Sequence, residues 1–343
     1  MLSKMPSLAA MYFYSTIHGV SRIIYLKSEG KFKKKRWFNR FRYLHYARIH
    51  FLVDHVDAVH INRDIWDSIP IRQIKTQPHC GHSNSIQLAT QTLQYDHGLF
   101  DKIFDDGEDR FSIHRFQWLH YLLQNNTSLS NVDIGVTSID YWITNISHPQ
   151  NGDIYDAYSI SERLLNWLYF IMFFKHDIKV DGSFWSKLTD SFNQQLIILI
   201  NSLEFHGKYT NNHILNNARC LYIVGKLLNQ EKLLLIGSEI LRALTGRYVK
   251  RGFLQEGSTH YHHILTRSYL EIFIISTSSG DVEMSKFISP ILSEMLDVCN
   301  LLQSKYGHNS YPLIGDISPD ALPSWFQGAP FSENGDARSH WET

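Results

Sequence analysis

At 343 residues the chain can bury one large core or two ordinary ones, and 43% hydrophobic with 19% charged residues is a folded globular composition that excludes a disordered chain. The formal net charge is zero with histidine neutral, so no overall field draws the chain to nucleic acid or a membrane surface, and an anionic partner must be held by a local arrangement. No stretch approaches ~20 uninterrupted apolar residues, which excludes a spanning helix.

In chain order, Met1 to Leu26 lacks an apolar block of roughly 7–15 residues followed by a small-residue cleavage site, so no secretory signal is expected. That implies a cytoplasmic setting and leaves the periplasm open. Residues 10–27 carry a helical stripe through Tyr14, Ile17, Ser21 and Ile24. The basic run Lys31 to Arg36 is expected to be a solvated loop, and 37–50 is helix-compatible. Residues 51–80 are mixed and carry no assignment. Helices are then expected over Ile86–Phe104 and Arg110–Gln124, the second with His114, Gln117, Trp118 and Tyr121 on one stripe. A polar loop, Asn125–Asn131, precedes a short helix, Ser138–Ile146, and His148-Pro149-Gln150-Asn151-Gly152 breaks the chain. Ser159–Phe174 and Phe184–Phe205 follow as amphipathic helices, with Arg163 and Asn166 off the apolar face of the first. Cys80, Cys220 and Cys299 are widely spaced, which argues against disulfides and thiolate metal sites.

The most informative stretch runs from Tyr209 to His263. It opens on a polar cluster through Asn211, Asn212, His213, Asn216 and Asn217 and closes on Glu256 to His263. Between them lie two helical patterns of roughly 16 residues, each travelling about 24 Å. The short Asn229-Gln230-Glu231 link favours an antiparallel pair that returns the chain to its starting edge, placing His213 and Tyr261 on one rim. Asn211 or Asn212 is positioned to cap the first helix and Ser258 the third. Free N–H groups at two helix starts would suit an anion. Helices continue over Thr259–Thr277 and Val282–Leu302, and prolines and glycines between Tyr311 and Pro330 read as a linker. With about ten helices and short turns the chain is expected to be all-α.

Asn212-His213 with Asn217, followed by Glu256, Ser258, Tyr261 and His262, resembles the heparinase II/III and alginate lyase family of polysaccharide lyases. Arg163, Asn166 and Trp167 are similar to that family's Arg-x-x-Asn-Trp helix, and Gly315-Asp316 to its link out of the helical domain. The likeness runs from about residue 10 to 330. It implies an incomplete (α/α) toroid of antiparallel helical hairpins over 1–305 and a linker over 306–343. In the family a β-sandwich domain follows and completes the cleft. The sequence stops before one, so the resemblance implies impaired cleavage or a sandwich supplied by a separate domain or chain.

The activity implied is cleavage of uronic-acid-containing glycans by β-elimination, with an acidic polysaccharide as partner and no cofactor. Asn212 is the candidate to neutralise the uronate carboxylate. His213 is the candidate base or a second carboxylate partner. Tyr261 is the candidate acid and also a candidate base, which as a phenol needs a positive neighbour such as His260 or His262. Asn217 and Glu256 are expected to fix these groups, and Arg163 to serve either the cleft or a salt bridge. A metal is not expected, because His260, His262 and His263 point about 100° per residue apart on a helix and no HExxH stands nearby. The alternative is a non-catalytic module that binds acidic polysaccharide in capsule or exopolysaccharide biosynthesis.

Overall fold

The structure, a computed structural model, describes residues 61–68, 85–88, 91–96, 98–119, 129–146, 152–205, 210–306 and 312–317, with a few single positions between 49 and 59. The expected helix over 10–27, most of that over 37–50, the run 31–36, Tyr121, Cys80 and the rest of the linker lie outside these residues. The described residues are mainly helical, as expected of an all-α chain. None of their helices is long and apolar enough to cross a membrane.

One expected helix is replaced. Where the reading places Ile86–Phe104, the strands β1 (Ser85–Gln87) and β2 (Thr92–Gln94) pair antiparallel with Ile86 opposite Leu93. Ile86 and Leu88 are both buried at a spacing of two, the strand period, and the Leu88 amide closes the turn onto the Gln91 carbonyl. Helix α1, Gly107–Arg115, is capped by Asp106, whose carboxylate accepts the Glu108 amide at 2.7 Å. The expected Arg110–Gln124 run is broken at Phe116 and is helical again over 117–119, with 120–124 outside the described residues. Phe116 turns left-handed, φ 62°, and sinks into an aromatic cluster 5.3 Å from both Phe100 and Trp167. Helix α2, Leu129–Tyr141, starts before the expected Ser138 because Val132, Gly135, Ile139 and Trp142 already form a buried stripe at spacings of three and four.

Six further helices agree with the expected ones to within a few residues, apart from the carboxyl ends of α4 and α8. They are α3 (Ala157–Phe174), α4 (Gly182–Asn201), α5 (His213–Leu227), α6 (Glu231–Tyr248), α7 (Thr259–Ser278) and α8 (Val282–Tyr306). Between α6 and α7 a hairpin pairs β3 (Val249–Lys250) with β4 (Phe253–Leu254). Its two turn residues, Arg251 and Gly252, both have positive φ, the requirement of a type I′ turn. The odd-numbered helices pack in succession, α1 on α3, α3 on α5 and α5 on α7, while α4, α6 and α8 each back the helix beside them in sequence. This gives an inner and an outer row.

The pair α5/α6 is the tightest joint. Asn229 ends α5 in the left-handed region, and the Gln230 amide bonds the Gly225 carbonyl at 2.8 Å, closing a Schellman turn. A Cβ on Gly225 would stand 2.4 Å from the Leu234 nitrogen, and one on Gly237 would stand 2.5 Å from the Tyr222 nitrogen. Only hydrogen fits where the two backbones touch. Gly237→Ala is expected to lower stability by about 1–3 kcal/mol through overpacking. Gly246→Ala on the same helix meets no atom within 4 Å and should raise stability by about 0.5–1 kcal/mol. Chemical denaturation of the two variants checks the pair, and equal effects would refute the close approach.

Candidate functional site

The site is built at the heads of α5 and α7. The Asn211 carboxamide accepts the His213 amide at 3.2 Å, so Asn211 supplies the cap. Asn212, at the helix boundary, makes no capping bond and instead donates its side-chain amide to the Glu256 carboxylate at 2.6 Å. Residues 44 apart in sequence are thus joined, as the antiparallel α5/α6 pair requires. The last turn of α6 confirms the return, since Arg247 and Tyr248 both donate to the Thr210 carbonyl.

His213 is the best-supported titratable group here. Its Nδ1 lies 3.0 Å from Glu204 Oε1, its ring centroid lies 4.8 Å from that of Tyr158, and its side chain is 42% exposed. The Arg115 guanidinium lies 4.8 Å from the Tyr158 centroid and donates to Ser159. Burial disfavours the imidazolium, but the hydrogen bond and charge of Glu204 outweigh it. Arg115 opposes and Asp156 assists, and the pKa of His213 stands above its ordinary value. Glu204 is itself placed by Asn217, which is fully buried: its carboxamide oxygen accepts the Glu204 amide at 3.3 Å, and its nitrogen donates to Ser161.

At the head of α7, Ser258 Oγ accepts the Tyr261 amide at 3.0 Å and donates to the Asp316 carbonyl at 2.6 Å. The Thr259 amide donates to the Ile314 carbonyl at 3.0 Å, so residues 312–317 strap this helix end. A Cβ on Gly315 would stand 2.7 Å from the Gly257 carbonyl, and both glycines have positive φ. These contacts correct the expectation of free N–H groups at the two helix starts: the amides of His213, Thr259 and Tyr261 are already bonded. An anion here would have to be met by side chains. Tyr261 sits half-buried against the core in the first turn. The Glu256 carboxyl has a raised pKa, from partial desolvation first and Asp316 in addition, against the lowering pull of Asn212 and His213.

Below the heads, an ionised network crosses the inner row. Arg219 on α5 donates to Glu271 on α7 at 2.7 Å, to Glu162 on α3 at 2.9 Å and to the Asn216 carboxamide at 2.7 Å. Tyr169 and Arg267 complete the Glu271 carboxylate at 2.8 and 2.9 Å.

Three expected roles change. Arg163 is 0% exposed, so it cannot touch a ligand: it donates to Gln195 and to the carbonyls of His114 and Ile154, and it lies 4.2 Å from the Trp142 ring. Asn166, expected off the apolar face, is buried and donates to the Arg115 carbonyl at 2.8 Å. Together these two cap the carboxyl end of α1, which fixes Arg115 against Tyr158. His262 cannot supply a positive neighbour to Tyr261, because burial first and His263 second hold its pKa down at about 4, and its Nε2 is 3.2 Å from the Met295 carbonyl. His260 is fully buried. Glu204, Tyr158 and Arg115 were missed by the sequence reading. Only Glu204, nine positions before His213, offered a signal, as an acidic residue close upstream of the cluster. Cys220 and Cys299 are buried free thiols. Among the described residues no three His, Cys, Asp or Glu side chains gather closely enough to hold a metal.

The fold and site define an all-α protein of paired helices with a polar rim at the heads of two inner helices. No family model matches the sequence, and no curated protein matches it. Among solved structures it is similar to a mutant of the heparan sulfate lyase HepC from Pedobacter heparinus, 15% identical over 87% of this chain and 48% of that one, with a TM-score of 0.45. It is also similar to heparinase III, 14% identical over 83% and 45%, with a TM-score of 0.45. The chain spans about half the length of both.

The network sets a pH-dependent share of stability. Burial opposes ionisation of Glu271, but Arg219 and Arg267 prevail and its pKa is lowered. A lowered carboxyl contributes stability above its ordinary pKa of about 4.3 and loses it as pH falls through the lower folded value. Glu271→Gln is expected to cost about 3–5 kcal/mol at neutral pH in urea unfolding. The gap from wild type should narrow below about pH 4, and a gap that persists unchanged would contradict the ionised pairing.

Proposed function

We propose that this rim cleaves uronate-containing glycans by β-elimination on an incomplete (α/α) toroid. The observation that carries the reading is the Asn212–Glu256 hydrogen bond, which joins the Asn-His cluster of α5 to the turn that launches Tyr261. An imidazole and a phenol thereby belong to the heads of two neighbouring helices, with a carboxamide beside the imidazole.

In the proposed reaction Asn212 and the neighbouring donors hydrogen-bond the uronate carboxylate and withdraw charge from it, which makes the C5 proton removable. His213, with Nδ1 bonded to Glu204, keeps Nε2 to take that proton. The C4–O4 bond then breaks as the C4–C5 double bond forms, and Tyr261 protonates the leaving oxygen. Asn217 acts at one remove by holding Glu204, and Glu256 by holding Asn212. An acidic polysaccharide is the partner in this reading, with a β-sandwich from another domain or chain closing the cleft. Binding of an acidic polysaccharide without turnover is the second reading.

Incubation with a panel of uronate polymers should produce the ultraviolet absorbance of an unsaturated product. His213→Ala and Tyr261→Phe should each reduce the rate by about 10²- to 10⁴-fold, the usual worth of a general acid or base. Glycan binding that yields no product and is unaffected by Tyr261→Phe would establish the binding module instead.

A further inference from the structure

We propose that Glu204 is a positioning residue of this rim: it fixes the proton of His213 on Nδ1 and leaves Nε2 as the nitrogen that exchanges a proton with a ligand. The role of Nε2 in turnover rests on the elimination reading; the state of the ring does not.

The geometry is a relay of fixed groups. Ser161 on α3 accepts from the Asn217 amide at 3.3 Å, Asn217 on α5 accepts the Glu204 backbone N–H at 3.3 Å, and Glu204 Oε1 stands 3.0 Å from His213 Nδ1. Asn217 is fully buried, so it holds the segment after α4 to the head of α5 from inside the protein. A carboxylate only accepts hydrogen bonds, so the nitrogen facing it must carry the proton in the neutral ring. Glu204 Oε2 is buried and has no hydrogen-bond partner among the described residues, so the bond from Oε1 to the imidazole is the one shown for this carboxylate's oxygens. The other charged and titratable groups acting on the ring come from three elements. Asp156 lies before α3 and Tyr158 within it, Arg115 ends α1, and Glu256 precedes α7. Arg115 disfavours the imidazolium, whereas Glu204 and Asp156 favour it.

The test is nitrogen-resolved NMR of the His213 ring in the full chain across pH. Wild type should show the Nδ1–H tautomer when neutral and titrate above the ordinary value of about 6.5. Glu204→Gln keeps an acceptor oxygen of the same shape but no charge. It should retain the tautomer and weaken proton affinity about tenfold or more, the usual effect of removing an opposite charge at contact. Glu204→Ala should lose both, the ring shifting toward Nε2–H. Wild-type tautomer and titration in both variants would overturn the proposal. If elimination is measured, the acid limb of its rate profile should move to lower pH in Glu204→Gln. A shifted titration with no unsaturated product from any protein would uphold Glu204 and reject elimination, whereas product with an unmoved ring would do the reverse.

Discussion

The constraint beneath everything else is the buried charge on Arg219. It is 2% exposed, and an ionised guanidinium at that depth persists only if carboxylates meet it. Glu162 and Glu271 do so from the helices on either side, and that requirement sets the mutual rotation and height of α3, α5 and α7. A purely apolar contact would tolerate sliding by a fraction of a turn, whereas three charged groups in contact would not. Asn216, bonded to Arg219, lies one turn from His213, so the register imposed by the network passes directly to the rim. Hydrophobic burial supplies most of the cohesion here, through Trp142, Trp167 and Phe116 among others. The ion pairs decide which of the well-packed arrangements is adopted.

The rim is held in the same manner, by bonds that cross between elements. Asn212 reaches the turn before α7, Asn217 reaches the end of α4, and the strap at 312–317 binds the head of α7 through Thr259 and Ser258. Arg163 and Asn166 belong to this scheme too, although neither faces a ligand. By terminating α1 at Phe116 they aim Arg115 at Tyr158, whose ring packs against His213. A motif that looks catalytic in sequence is here the support of another residue.

What could be read from the sequence follows from the range of the forces involved. Helices α3 to α8 show themselves because their burial is periodic and their punctuation, such as Asn229 and Ser258, is local. The return of α6 to the start of α5 was legible for the same reason. The hairpin at Ser85–Gln94 was not, because its glutamines, leucines and alanine have ordinary helix propensity and only the buried pair Ile86 and Leu88 marks the strand period. The break at Phe116 was hidden as well, since a left-handed phenylalanine is sustained by aromatic contacts and carbonyl partners from elsewhere in the chain. Asn212, His213 and Glu256 stood out as a cluster, whereas Glu204 gains its place only through Asn217 in three dimensions.

The charge balance at the rim bears on how a uronate would be received. Glu204, Glu256, Asp156 and Asp316 lie within electrostatic reach of one another's partners, against Arg115 and the protonated form of His213. A further carboxylate entering this surrounding would repel Glu256 most directly, because Glu256 shares Asn212 with it in the proposed arrangement. The pKa of Glu256 is raised, by partial desolvation first, and a protonated Glu256 would be a donor instead of a competitor for the Asn212 amide. The charge lost would be that of Glu256, and the amides of His213, Thr259 and Tyr261, already bonded within the protein, would take no part. On this argument the acidity of the rim and its proposed preference for an acidic sugar are compatible provided that Glu256 takes up a proton as the sugar carboxylate arrives.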